Sequence, residues 1–153
     1  MPEAPRPRSS NLRIAKDFSD HDRAQFRDAT FEYIVNYFEN SLEELCARNS
    51  DLAQNCRRVD ANTFSAAIYL NGSEKSACSI TMNTHIGDIA YGYGYRHQHN
   101  SCNEWFSIEH DGHVPTLRAG GMAMRSQSES NMTQEGAADY LWSMFIEPLQ
   151  SQR

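Results

Sequence analysis

Phe64-Ser-Ala-Ala-Ile-Tyr-Leu-Asn-Gly-Ser-Glu-Lys-Ser-Ala-Cys-Ser-Ile-Thr-Met82 is the stretch where the pattern of the chain changes and the fold is decided. Phe64, Ala66, Ile68 and Leu70 alternate with Ser65, Ala67 and Tyr69, the two-residue period of a half-buried strand. Asn71-Gly72 begins a turn, and Cys78, Ile80 and Met82 alternate on its far side. A two-residue Asn-Gly loop sets Ile68 opposite Lys75, mixing apolar and charged residues on one face. A loop over 71–75 sets Ile68 opposite Cys78, Ala66 opposite Ile80 and Phe64 opposite Met82. A slip of one residue flips every side chain, so the pattern favours the longer loop.

Upstream of this hairpin the period is helical. Ser19-Asp20-His21-Asp22 reads as a capping box, a serine and an acid three residues on satisfying two unpaired amides. No proline or glycine interrupts from there to about Asn49, and Phe31, Ile34, Val35, Phe38, Leu42 and Leu45 fall on one stripe. A helix of roughly 28 residues is about 42 Å long. That exceeds the width of a small domain, so a break near Asn40-Ser41 or an end reaching a partner is expected. Asp51 to Arg58 reads as a further helical turn or two.

Downstream, Ile89-Ala-Tyr-Gly-Tyr-Gly-Tyr95 reads as a third strand. Trp105–His110 and His113–Ala119 form a hairpin around Asp111-Gly112, with Phe106 opposite Leu117, Ile108 opposite Pro115 and His110 opposite His113. Pro115 cannot donate to a ladder, which puts this last strand at an edge. Thr133 caps a final helix that Pro148 should stop near Glu147. Tyr140, Leu141, Trp142, Met144, Phe145 and Ile146 make it apolar nearly all round, a helix expected to be buried on more than one side. The order implies an α+β fold, an antiparallel sheet of about five strands with a long N-terminal helix and a C-terminal helix packed on it. Residues 1–17, with three prolines in the first seven positions, read as a solvated tail, and 18–150 as one domain.

The chain has 153 residues, enough for one core. A net charge of −6 supplies no electrostatic footprint for duplex nucleic acid. No window approaches the roughly 18 apolar residues of a membrane span. The N-terminus lacks the apolar run of a secretory signal. Cys46, Cys56, Cys78 and Cys102 form no C-x-x-C pair, which argues for reduced, mostly buried thiols and a cytoplasmic location.

Two clusters carry chemistry. Tyr91, Tyr93 and Tyr95 alternate with Ala90, Gly92 and Gly94, which gives one bulky and one nearly bare face, and Arg96, His97 and His99 follow. If the bare face lies under the long helix, the tyrosines form an exposed row able to stack on a planar ligand or anchor a protein partner. The second cluster is histidine: His97 and His99 share a face when extended, and His110 and His113 are cross-strand neighbours in the Asp-Gly register. Imidazoles so placed are candidate ligands for a transition metal. Asp88, Glu104, Glu109 and Asp111 surround the same sheet region as possible acids or bases. Contact surface is abundant and no catalytic set is complete. The sequence therefore reads as a non-enzymatic, cofactor-free binding module for a small molecule or a protein, forming a homodimer or higher oligomer. Its recognition surface is Tyr91, Tyr93, Tyr95, Arg96, His97 and His99. The alternative is a small metal-dependent hydrolase built on His97, His99, His110 and His113.

Overall fold

Ser19 donates its main-chain N–H to Asp22 Oδ2 at 3.1 Å and accepts the Asp22 N–H on its Oγ at 3.0 Å. This is the expected capping box, and it starts α1 (Asp20–Arg48), which runs unbroken for 29 residues. The computed structural model describes residues 18–84, 87–94, 104–111, 114–121 and 131–150. After α1 come β1 (Leu52–Asp60), β2 (Thr63–Leu70), β3 (Ser73–Met82), β4 (Ile89–Tyr93), β5 (Glu104–Asp111), β6 (Val114–Gly121) and α2 (Gln134–Gln150). The six strands form one antiparallel sheet in sequence order, each paired with the next. The architecture is α+β, with six strands where the pattern suggested about five.

The additional strand is β1, at the stretch expected to be helical. Its sequence is polar and its side chains are exposed apart from half-buried Leu52 and Cys56. Pairing with β2 sets it, Cys56 against Ala66 and Arg58 against Phe64. Asp60 accepts the Asn62 N–H on its side chain at 2.8 Å and closes the connecting turn.

The β2–β3 hairpin takes the two-residue register next to its turn and neither candidate register beyond it, so the expected pairs of Ile68 with Cys78, Ala66 with Ile80 and Phe64 with Met82 do not form. Asn71 (φ 53°) and Gly72 (φ 85°) form the tight two-residue turn, with Leu70 opposite Ser73. A bulge between Ile68 and Tyr69 then shifts the ladder so that Ile68 faces Ser76, Ala66 faces Cys78 and Phe64 faces Ile80. The extra residue keeps Lys75 off the apolar face, the conflict that favoured the longer loop. The β5–β6 hairpin also departs from expectation by two residues. Phe106 pairs with Ala119, Ile108 with Leu117 and His110 with Pro115. A two-residue shift preserves faces, so Phe106, Ile108 and Leu117 remain in the core.

Both helices cover one face of the sheet. Phe31, Ile34, Val35, Phe38 and Leu42 of α1 meet Phe64, Ile68, Ile80, Tyr91 and Phe106 below them, and α2 adds Leu141, Met144 and Phe145. Trp142 packs edge-on to Phe38 at 5.3 Å, so the apolar circumference of α2 is met largely within the chain. The helix continues past Pro148 to Gln150. On the opposite face Trp105 lies across from Gly120, where an added Cβ would come within 2.7 Å of the indole nitrogen. Among the described residues, no helix is long and apolar enough to cross a membrane.

Candidate functional site

Tyr91 lies in the core on the helix-covered face, where the alternation suggested an exposed row. Tyr91 is 0 % exposed, and Ala90 and Gly92 are on the side without helices. The bulky face is needed to fill the space between sheet and helices. Among the described residues the hydroxyl of Tyr91 has no conventional hydrogen-bond partner, and it faces the Cys78 thiol. Burial, then the neighbouring Cys78, raises its pKa well above the ordinary phenol value. Tyr93 shares the face but is 56 % exposed, its ring edge-on to Tyr91 at 5.7 Å. Tyr95, Arg96, His97 and His99 lie outside the described residues.

The carboxylates separate into distinct roles. Glu104, opposite Tyr91 in the ladder, is fully buried and accepts a hydrogen bond from the Tyr140 hydroxyl at 3.0 Å. Asp88 accepts the Ile108 N–H at 2.9 Å and meets Arg23 at 3.5 Å, tying the start of α1 to β5. Glu109 pairs with Arg118 across the β5–β6 ladder, exposed to solvent.

Of the four histidines expected to bind metal, His110 is within the described residues. It is exposed, stacks on Phe18 at 4.9 Å, and faces Pro115 in the ladder rather than His113. His97, His99 and His113 lie outside the described residues. Among those described, no three His, Cys, Asp or Glu side chains converge.

The sheet's two edges differ. On β6, Pro115 lacks an N–H, and Met132 bridges the outer side: Leu117 N–H donates to Met132 O at 3.0 Å and Met132 N–H to Leu117 O at 2.9 Å. At β1, no described strand pairs with the outer side. Asp51 O accepts the Asn71 N–H. By the two-residue period, Ala53, Asn55 and Arg57 likewise turn their main chain to β2, while Gln54, Cys56 and Arg58 turn theirs outward. Beside this edge runs a groove of about 400 Å³ lined by Glu39, Glu43, Gln54, Asn55 and Cys56. Burial, then the Glu39 charge, pushes the Cys56 thiol up to about 11. Sequence reasoning missed this edge by reading β1 as helix. The available signal was the turn chemistry of Asp60 and Asn62 before Thr63, which implies a preceding partner strand.

Fold and edge together define an α+β domain whose six-stranded meander is covered by helices on one face and, among the described residues, has no strand beyond β1. The chain belongs to the Y4lF protein domain family, which it matches over residues 53–147, from β1 into α2. It is 42 % identical over 155 residues to the uncharacterized protein y4lF of Sinorhizobium fredii, an alignment covering 99 % of this chain and 48 % of that protein. The chain thus spans about half the length of that relative. No solved structure matches.

Proposed function

We propose that this chain is a non-enzymatic binding module that recognises another polypeptide by accepting an added strand along β1. The carrying observation is the contrast between the edges: β6 is blocked by Pro115 and Met132, whereas β1 offers the outward main-chain groups of Gln54, Cys56 and Arg58. Sheet edges left long and unblocked are templates for pairing, and recognition by strand addition uses them. Val59, 53 % exposed on the same strand, supplies apolar contact beside the polar ladder.

The test is Gln54→Pro. Proline removes an outward amide without touching the ladder to β2, so the fold tolerates it as edge strands do. Affinity purification with wild-type and variant chains, read by mass spectrometry, should find partners retained by the wild type and lost by the variant. The same partners in equal amounts on both would contradict strand addition at β1.

A further inference from the structure

We propose that the strand accepted at β1 carries two basic side chains two residues apart, so that the groove between α1 and β1 selects a Lys/Arg-x-Lys/Arg segment. This rests on the β1 edge being the docking site, and adds the chemistry of what docks there.

A strand added to β1 hydrogen-bonds to Gln54, Cys56 and Arg58, and its alternate side chains turn to the helix side, into the groove. One wall of that groove is Glu39 and Glu43. Among the described residues neither carboxylate forms an ion pair, although Glu32 and Glu44 on the same helix are matched by Arg58 and Arg48. The raised pKa of the Cys56 thiol, to which Glu39 contributes, registers the same negative field.

The spacing is specific. Glu39 and Glu43 are one turn apart, about 6 Å along α1 at 1.5 Å per residue. Residues two apart on an added strand are about 6.7 Å apart on one face. Two bases at that interval meet both acids, whereas adjacent bases place only one in the groove. A second copy fits less well. Its own β1 offers Gln54, Cys56 and Arg58 on the helix side, with Arg58 already held by Glu32 at 2.6 Å. It would also bring a second pair of acids to a chain of net charge −6.

The experiment uses the full chain and labelled peptides as long as β1, nine residues. Each alternates Thr and Val and carries Lys at two central positions two apart, Lys at two adjacent positions, or Gln at the spaced positions. By fluorescence anisotropy the spaced-Lys peptide should bind about fivefold tighter than the Gln peptide, the yield of two modest ion pairs. The adjacent-Lys peptide should fall between them. The advantage should shrink at high salt and vanish in the Glu39→Gln/Glu43→Gln double variant, whose exposed positions spare the fold. Equal binding of all three peptides, sensitive to Gln54→Pro, would overturn the charge selection and leave strand addition standing. No binding of any peptide would overturn both. A dimer that Gln54→Pro dissolves, with the spaced-Lys peptide unbound, would put a second copy on the edge and overturn the basic segment.

Discussion

Tyr91 and Tyr93 are two residues apart and chemically identical, yet one is sealed in the core and the other is 56 % exposed. Their alternation places them on the same face, and that much is legible locally. Which face the helices cover is set by the volume between layers, information spread over α1, α2 and four other strands. Truncating Tyr91 to alanine should cost about 3–5 kcal/mol in urea unfolding, the usual penalty for a buried aromatic. Tyr93→Ala should stay within about 0.5 kcal/mol, as a surface change does. Tyr91→Phe separates shape from polarity. Its hydroxyl lacks a conventional partner among the described residues, so removing it should change stability by less than about 1 kcal/mol, in either direction. Equal losses for Tyr91→Ala and Tyr93→Ala would contradict the burial assignment. Glu104 shows the limit of reading a carboxylate at a strand end as solvated: Tyr140, thirty-six residues away in sequence, supplies its partner.

At the level of elements, strong periodicity was legible and pairing-imposed structure was not. The apolar stripe of α1 and its capping box read directly from spacing, because both depend on residues within four of each other. β1 has no stripe of its own, and its extended form depends on the ladder with β2. The Asn71-Gly72 turn was visible but the bulge that follows was not, since a bulge reconciles two local preferences that each look decisive alone. The β5–β6 pair holds a sharper dependency. Trp105 leaves no room for a Cβ on Gly120, with indole atoms at 2.7, 2.9 and 3.2 Å from where it would stand. Gly120→Ala should therefore force the indole aside and cost about 1–3 kcal/mol, as overpacking does. Read in a Trp142→Phe background, a fluorescence emission shift that accompanies the loss would locate the disturbance at Trp105, and an unchanged unfolding midpoint would contradict the close approach.

For the whole molecule, fold class was legible because helix and strand periods are separated along the chain, which leaves few ways to assemble one sheet and two covering helices. The site at the β1 edge was not legible, because β1 itself read as helix. Aromatic and histidine clusters stand out in a sequence, but an open edge is a property of which strand lacks a neighbour, and that emerges only after assembly. Strand addition at β1 requires its outer side to be unpaired, and amide hydrogen exchange read residue by residue tests this most directly. In the chain alone, the amides of Gln54, Cys56 and Arg58 should exchange quickly, while those of Ala53, Asn55 and Arg57, turned to β2, exchange slowly. Binding of the spaced-Lys strand should slow the first three and leave the others unchanged. Uniform slow exchange across Leu52–Arg58 in the unbound chain would mean that the edge is already occupied, and would contradict the account.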